Sequence, residues 1–498
     1  MHPRDTNPIP WLEVTSQGLA ILASMYARVF RQIAGPGLAG FMWLVTSSIG
    51  VPDEMVAVLS AASWMLVWWV TEAVPLGVTS VLPLVLFPLL GVTDVASAAA
   101  PYGSKYVFLF MGGFLIAIAL EHWNLHRRFA LSILVAAGGR PRRLLFGFMI
   151  ATAALSMWIS NTATTLMMLP IALSVASKMD VVRHPRFPVA LLLGTAYAAN
   201  IGGIATLVGT PPNVAMAGLV EEQVGMSVPF LEWTLMALPF SILLLVLVYF
   251  LLTRVLCRVE SSTVHLGLKA LRQEKDELGA WTTAERRVSY VFGATACLWI
   301  TRRGLVEWTG IPMNDTTIAM AAGVLLFLIP AGLSNSTRPL LTWEETRRMP
   351  WDILLLFGGG LTLAGQLSEA GVLSAVAETL SSMPNMSSAW LIGGFVLVSL
   401  FLTEVMSNLA LTVVLVPVVA QVAMAWGIHP LLLVVPVTMA SSCAFMLPMA
   451  TPPNAIVFGS GQLHMSTMVK VGVVLNFVAA ALAWLWAMTV LPWWLQLL

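Results

Sequence analysis

A polar run breaks the apolar stretch 142–180; it reads Ser156-Met157-Trp158-Ile159-Ser160-Asn161-Thr162-Ala163-Thr164-Thr165. From Leu144 to Ser177 there is no ionisable residue, so the stretch is long and apolar enough to enter a bilayer and return. Hydroxyl and amide groups are costly at that depth unless they face protein, water or a ligand, and broken backbone is tolerated there only where it lines a cavity. The stretch is therefore predicted to be a re-entrant hairpin with a functional tip.

The second half of the chain repeats this pattern. A matching run lies 247 positions later, from 156 to 403, and reads Thr403-Glu404-Val405-Met406-Ser407-Asn408-Leu409-Ala410-Leu411-Thr412. At the same spacing Gly112-Gly113 returns as Gly359-Gly360. Gly209-Thr210-Pro211-Pro212-Asn213 is echoed 241 positions later by Ala450-Thr451-Pro452-Pro453-Asn454. Membrane helices carry Ser, Gly and Pro for packing and kinks as well. Three motifs in the same order in two halves nevertheless favour a transporter with its binding site between the repeats.

The composition excludes several classes of protein. Of the 498 residues 58% are hydrophobic and only 10% are charged, which indicates a polytopic membrane protein. A net charge of +1 without a basic and aromatic groove argues against nucleic acid as a partner. The three cysteines are scattered and no His-Glu-x-x-His motif occurs, so neither a disulfide framework nor a metal-dependent hydrolase is indicated.

Hydropathy predicts an all-α fold with about eleven membrane crossings and two re-entrant hairpins, arranged as an inverted repeat. A helix from Trp11 to Phe30 is predicted to lie on the membrane surface, although a solvated tail fits nearly as well. The predicted hairpins are 142–180 and 388–428. The predicted crossings are 37–52, 55–74, 76–92, 104–121, 187–220, 228–253, 288–301, 315–331, 351–370, 431–460 and 470–492.

Charge distribution supports one orientation of these segments. With the N-terminus inside and the C-terminus outside, only Lys105, Arg302 and Arg303 of the 25 Lys and Arg residues fall outside. Basic residues also flank the first hairpin on both sides, whereas the second has none at its ends. We therefore predict a multi-pass protein of the plasma (inner) membrane, with one hairpin opening to each side.

The two polar runs have the chemistry of a site for a cation and an anion. Ser156 and Ser160 lie four residues apart, as do Thr403 and Ser407, so each pair shares one face at the end of a half-helix. Such hydroxyls, with free carbonyls and an Asn oxygen, form a neutral set of oxygens that suits Na⁺. The following half-helix directs free N–H groups at the same place, which suits an anion.

Side-chain donors to that anion are predicted at Asn161, Thr162 and Asn408. The breaks at Thr210-Pro211 and Thr451-Pro452 are predicted to provide two more helix ends that face it. Segments 144–177, 187–220 and 431–463 contain no Lys, Arg or His, so co-bound cations would have to balance a carboxylate. This favours cation-coupled uptake over exchange. Glu404 is interpreted first as a carboxylate satisfied by hydrogen bonds at a helix junction, and second as a proton-binding group.

At these motifs the sequence resembles the divalent anion/sodium symporter family, which carries succinate, malate, citrate and sulfate. The resemblance covers nearly the whole chain and includes Trp69-Val70-Thr71-Glu72-Ala73-Val74-Pro75, Phe110-Met111-Gly112-Gly113, Ser160-Asn161-Thr162 and both Thr-Pro-Pro-Asn breaks. It implies a homodimer in which a transport domain moves against a scaffold as an elevator. It also implies two Na⁺ sites, one at Ser156, Ser160, Asn161 and Gly209, the other at Thr403, Met406, Asn408 and Ala450, where Gly209, Met406 and Ala450 contribute backbone carbonyls.

The resemblance divides the chain into scaffold and transport segments. An N-terminal interfacial segment is assigned to 1–36 and a cytoplasmic linker to 257–287. Scaffold helices are assigned to 37–141 and 288–387. Transport segments, each with a hairpin, a broken helix and a following helix, are assigned to 142–256 and 388–498.

The substrate prediction rests on eight residues. They are Asn161, Thr162, Asn408, Leu409, Thr210, Pro211, Thr451 and Pro452. The family often has Ser-Asn-Thr in both hairpins, and Leu409 here removes one hydroxyl. A sodium-coupled importer of a C4-dicarboxylate such as succinate or malate is favoured. A sulfate or citrate symporter, a proton-coupled carrier or an anion exchanger is the alternative. An intramembrane enzyme has little support, because apart from Glu404 the tips hold only hydroxyls and amides.

Overall fold

The computed structural model describes residues 10–177, 186–259, 265–333, 337–381 and 387–496. Throughout these ranges the regular structure is helical, as predicted, apart from isolated bridges such as that between Pro330 and Pro339. The first half contains α1 (Pro10–Ser48), α2 (Asp53–Thr71), α3 (Leu76–Thr79), α4 (Pro83–Leu89), α5 (Val95–Ala99), α6 (Lys105–His122), α7 (Leu125–Ala137), α8 (Pro141–Ser156), α9 (Asn161–Ser177), α10 (Phe187–Ile204), α11 (Pro211–Val224) and α12 (Phe230–Phe250). The second contains α13 (His265–Glu277), α14 (Thr283–Thr309), α15 (Asp315–Leu328), α16 (Trp351–Glu369), α17 (Val372–Ser381), α18 (Ser388–Leu402), α19 (Asn408–Ala425), α20 (Pro430–Ser441), α21 (Pro452–Phe458) and α22 (Met465–Leu495).

Six helical stretches in the described residues are long and apolar enough to cross a membrane by themselves. They are Asp53–Thr71, Val95–His122, Phe187–Ile204, Phe230–Leu256, Asn408–Ala425 and Met465–Leu495. A seventh is obtained if α16 and α17, bent by 67° at a short break, count as one span. The polytopic membrane fold is thereby confirmed, and the number of eleven crossings stays a prediction.

Three segments differ in detail from the sequence-based prediction. The predicted surface helix and first crossing form one continuous helix, α1, which contains Pro36. The predicted crossing 76–92 is instead two short helices, α3 and α4, because Pro83 lacks the N–H that a continuing helix would need. The predicted cytoplasmic linker contains the helix α13.

The two predicted hairpins are pairs of helices that end at the polar runs. Residues 157–160 separate α8 from α9, and residues 403–407 separate α18 from α19. Both α8 and α9 pack against α10, while α18 and α19 pack against α20. The packing places each polar break beside the broken end of a neighbouring helix. The last residues of the first predicted hairpin, 178–180, lie outside the described part of the chain.

The two double-glycine motifs pack in the same manner in both halves. A Cβ on Gly112 would lie 2.7 Å from the backbone of Ala319 in α15, and one on Gly359 would lie 2.1 Å from the Ser80 carbonyl oxygen. These two glycines therefore allow helix backbones of the predicted scaffold to touch. Their neighbours face the predicted transport segments, since Gly113 lies against Val208 and Gly360 against Val413 of α19.

Candidate functional site

A cavity of about 960 Å³ lies where both hairpin tips and both broken helices meet. It brings together twelve residues that the sequence predicted for binding: Ser160, Asn161, Thr162, Gly209, Thr210, Pro211, Met406, Asn408, Leu409, Ala450, Thr451 and Pro452. Two predicted cation ligands, Ser156 and Thr403, do not line it. They are fully buried directly behind the tips. The two halves of the chain therefore line one cavity, at the place where the repeat predicts the binding site.

The first tip is built around the hydroxyl of Ser156. This oxygen lies 2.7 Å from Asn161 Oδ1 and 2.7 Å from the carbonyl oxygen of Ala199 in α10. A Cβ at position 203 would lie 2.5 Å from Asn161 Oδ1, so only glycine allows the amide to reach this place. Gly209 in turn packs against the Gly203 backbone. Side-chain and backbone oxygens thus converge at the tip.

The second tip repeats this geometry with different residues. The hydroxyl of Thr403 lies 2.6 Å from Asn408 Oδ1 and 2.5 Å from the carbonyl oxygen of Ser441 in α20. The residue 247 positions before Thr403 is Ser156, and the equivalence extends to the amide and to the carbonyl of the broken helix. The sequence repeat therefore corresponds to a repeated hydrogen-bonding pattern.

Counting hydrogens at each tip indicates which kind of ligand the tip would suit. A hydroxyl carries one hydrogen, yet Ser156 and Thr403 each contact two oxygens that can only accept in this arrangement. With the amide oxygens of Asn161 and Asn408 turned toward these hydroxyls, one close oxygen pair at each tip has no hydrogen between its members. A small hard cation such as Na⁺ would relieve that repulsion. The described residues contain no cluster of His, Cys, Asp and Glu that could hold a transition metal.

The prolines of the two Thr-Pro-Pro-Asn breaks explain why the preceding carbonyls are available. Pro211 and Pro212 have no N–H, and the N–H of Asn213 is bonded to the Thr210 carbonyl at 3.2 Å. The first turn of α11 therefore has no donor left for the Gly209 carbonyl. The same reasoning applies to Ala450, because the Asn454 N–H turns to the Thr451 hydroxyl at 3.4 Å. Neither carbonyl has a hydrogen-bond donor among the residues that the structure describes, so both are available to a ligand.

The same prolines limit what these breaks can offer an anion. As helix ends, Thr210-Pro211 and Thr451-Pro452 are predicted to provide N–H donors. Two of the first three N–H groups are absent there, and the third is already bonded. At these ends the polar side chains Thr210 and Thr451, rather than N–H groups, face the cavity.

The starts of α9 and α19 do provide free N–H groups. In α9 the Ala163 N–H donates to the Ser160 hydroxyl and the Thr164 N–H donates to the Ser160 carbonyl. The two preceding N–H groups, of Asn161 and Thr162, have no acceptor in the described part of the chain. In α19 the first such bond runs from the Leu411 N–H to the Ser407 carbonyl. Leu409 is 5% exposed. A leucine at this position lacks a side-chain hydroxyl but keeps its backbone N–H group. An anion can therefore be bound between two helix starts without any basic side chain.

Glu404 is held by four hydrogen-bond donors at the second tip. Its Oε1 accepts from the N–H groups of Phe445 (2.9 Å) and Met446 (3.0 Å) and from Asn476 Nδ2 (2.7 Å). Its Oε2 accepts from the Leu447 N–H at 3.0 Å. The carboxylate is thus bonded along the unwound stretch between α20 and α21, which agrees with its first interpretation as a satisfied junction residue.

The opposite wall of the cavity is apolar and belongs to the predicted scaffold. It is formed by Phe110, Gly113, Phe114 and Ala117 of α6 and by Leu356 of α16. These five residues offer a ligand no polar side chain.

Charged residues line another part of the cavity. They are Arg31, Glu72, Glu121, Arg348 and Asp352. The two arginines are exposed and are the only positively charged residues that line the cavity in the described ranges.

Sequence reasoning missed Asn200 and Asn476. Asn200 lies in α10 and lines the cavity, with 1% of its surface exposed. Asn476 lies in α22 and binds Glu404. A single amide within a long apolar helix is a signal that could have identified both, because such a group needs a partner at that depth.

Comparisons with known proteins identify a family that the chain resembles. Residues 29–498 match the family model described as the sodium:sulfate symporter transmembrane region. A relative from Staphylococcus saprophyticus, named sodium-dependent dicarboxylate transporter SdcS, is 39% identical over 462 residues, which cover 90% of this chain and 89% of the relative. Its namesake from Staphylococcus aureus strain USA300 is 37% identical over 475 residues, covering 93% and 91%.

Two solved structures share the fold at much lower identity. The YdaH transporter of Alcanivorax borkumensis has a TM-score of 0.57 at 16% identity, covering 80% of this chain and 88% of its own. MtrF of Neisseria gonorrhoeae has a TM-score of 0.55 at 13% identity, covering 79% and 84%. The fold is therefore one that transporters use, and an enzyme is not indicated by any of these relatives.

Proposed function

This chain belongs to the sodium:sulfate symporter family, and we propose that it carries small dicarboxylates across the membrane together with sodium ions. The observation that carries the proposal is the pair of equivalent tips around one cavity. Each tip combines a cluster of neutral oxygens with a helix start, and the cavity lies between them. Relatives named for sodium-dependent dicarboxylate transport support the choice of both solutes.

We assign one sodium ion to each tip. The first ion would be bound by Ser156, Ser160, Asn161 and Gly209, and the second by Thr403, Met406, Asn408 and Ala450. The hydroxyl with two acceptors supports each site, as do the free carbonyls before the two Pro-Pro pairs. Two monovalent cations would balance the two charges of a dicarboxylate held between two tips that carry no basic side chain.

A C4-dicarboxylate is the favoured substrate. One carboxylate would bind the first tip through Asn161, Thr162 and the start of α9. The other would bind the second tip through Asn408 and the N–H groups at the start of α19, with Thr210 and Thr451 on the flanks. Leu409 has no hydroxyl to offer this second carboxylate, so its binding would depend on Asn408 and on the N–H groups. Sulfate, which gives the matched family its name, is the competing substrate.

The transport cycle that we propose is an elevator. The hairpins and broken helices would move as one unit past α6 and α16, in a homodimer held by the scaffold. If the N-terminus is cytoplasmic, the charged part of the cavity, which includes Arg31 and Arg348, opens to the cytoplasm. The described conformation is then the one facing inward.

Reconstituted proteoliposomes test the proposal. We expect labelled succinate to accumulate when an inward sodium gradient is imposed, and not when potassium replaces sodium; unlabelled sulfate and citrate serve as competitors. Thr162→Ala should weaken the apparent affinity by about 1.5–3 kcal/mol, the value of a hydrogen bond to a charged group. Thr164→Ala is the matched control, since Thr164 is buried away from the cavity. Sodium-independent uptake would contradict the coupling, and equal effects of both variants would contradict the assigned tip.

A further inference from the structure

Asn200 connects the two halves of the chain at the cavity. Its Nδ2 lies 3.1 Å from the hydroxyl oxygen of Thr451 and 3.4 Å from the carbonyl oxygen of Ala444. Asn200 belongs to the broken helix of the first half, whereas Thr451 and Ala444 belong to that of the second. The neighbouring Tyr197 hydroxyl also donates to the Phe445 carbonyl at 2.9 Å. The bonds of Asn200 are therefore part of a contact between the repeats.

The Ala444 carbonyl fixes the orientation of the Asn200 amide. A carbonyl can only accept a hydrogen bond, so the NH₂ group must face it, and the same NH₂ group then reaches Thr451. The other end of the amide, Oδ1, is buried and has no partner among the described residues. Toward Thr451, Asn200 is consequently a donor.

This orientation determines where the Thr451 proton points. The Thr451 oxygen accepts from Asn200 Nδ2 at 3.1 Å and from the Asn454 N–H at 3.4 Å, so both of its lone pairs are engaged. Its own hydrogen has no acceptor in the ranges that the structure describes, and the residue lines the cavity. The remaining direction for the O–H bond is into the cavity.

We propose that Asn200 is a positioning residue for the anion, which holds the Thr451 hydroxyl as a donor to an oxyanion group of the substrate. The inference rests on the proposed function, because it names a further group that orients the dicarboxylate. Asn200 itself needs no contact with the substrate. A hydroxyl that is held as a donor before the anion arrives loses less rotational freedom on binding.

The chain offers an internal control at Thr210, the equivalent of Thr451 in the first half. Its hydroxyl also lines the cavity, but it has no hydrogen-bond partner in the described part of the chain. Nothing corresponding to Asn200 therefore holds it. Only Thr451 should depend on Asn200.

A double-mutant cycle tests this dependence through sodium-dependent binding and uptake of succinate. We expect Thr451→Val to weaken the apparent affinity about tenfold or more, and Asn200→Leu, which has a similar branched shape without the donor, about 3- to 10-fold. Asn200→Leu should have no further effect in the Thr451→Val background. In the Thr210→Val background, by contrast, Asn200→Leu should weaken the apparent affinity by the same factor as in the parent, so that the two losses multiply. The sodium concentration for half-maximal uptake at saturating succinate should stay unchanged.

Multiplicative effects for the Asn200 and Thr451 pair would overturn the proposal. So would a loss of folding in both Asn200→Leu and the second variant Asn200→Ala, since Asn200 would then serve only to join the helices. A parent protein that takes up sulfate but not succinate would overturn the choice of dicarboxylate alone, and the same cycle would be read with sulfate. A parent that takes up neither would overturn both proposals.

Discussion

Removing the charge of Glu404 tests whether this carboxylate serves the fold or the cation. In Glu404→Gln the amide oxygen can take the place of Oε1 and keep its three donors. The amide NH₂ then faces the Leu447 N–H, which now donates to the carboxylate over 3.0 Å. One charge-assisted bond is lost and one buried N–H is left without an acceptor. Together these changes should lower the free energy of unfolding by about 2–4 kcal/mol. Glu404→Ala leaves three backbone N–H groups unpaired, at about 1–3 kcal/mol each.

The measurement is thermal unfolding of the purified protein in detergent, followed by tryptophan fluorescence. We expect a clear decrease in melting temperature for Glu404→Gln and no well-folded protein for Glu404→Ala, since stabilities of about 5–15 kcal/mol are typical of folded proteins. Glu344→Gln removes an exposed carboxylate and is the matched control for the loss of charge.

Sodium dependence separates the two interpretations of Glu404. The four donors alone account for this carboxylate, so the melting temperature should change more than the half-saturating sodium concentration. A Glu404→Gln variant that melts like the parent but needs much more sodium would refute the reasoning. Its charge would then belong to the second cation site.

Three further predictions concern the tips and the glycines. Asn161→Ala and Asn408→Ala should each abolish gradient-driven uptake in a folded protein, because each removes an amide whose oxygen would bind the cation and whose NH₂ group would donate to the anion; normal uptake with an unchanged sodium curve would remove the site. Leu409→Thr should tighten succinate binding by up to about 1.5–3 kcal/mol with little change in sodium dependence, and unchanged competition by succinate, citrate and sulfate would mean that this side chain only packs. Gly360→Ala should slow uptake strongly because its Cβ would lie 2.4 Å from Val413, whereas Gly113→Ala, at 3.6 Å from Val208, should be tolerated; equal uptake rates would contradict the assigned interface.

The sequence predicted the tips well because their signal is chemical. Polar residues in an apolar stretch must be satisfied, and the repeat of 247 positions identified which ones belong together. The structure brings Asn161 and Asn408 to one cavity accordingly. The all-helical fold and the membrane class could likewise be predicted from composition and hydropathy.

Other features could not be obtained from the pattern. The role of Asn200 depends on a contact over 251 residues of sequence, which neither spacing nor hydropathy indicates. The predicted crossing 76–92 is divided before Pro83. Whether a chain breaks at such a proline depends on whether neighbouring groups can bond the N–H and C=O groups that the break leaves free. The available N–H groups at α11 were overestimated because the motif was considered as a helix end, without counting the two prolines.

The apolar wall formed by Phe110, Phe114 and Leu356 has a consequence for the fidelity of coupling. If the tips move past this wall, whatever charge they carry must pass a surface that can neither hydrate nor pair it. A dianion alone would meet a penalty of several kcal/mol, and so would two cations alone, whereas the complete set is neutral. The wall would then act as an electrostatic filter that favours movement of a fully loaded or an empty site. Leakage of sodium should consequently rise if a polar side chain replaces Phe114, even though that residue is not among those proposed to bind the transported ions.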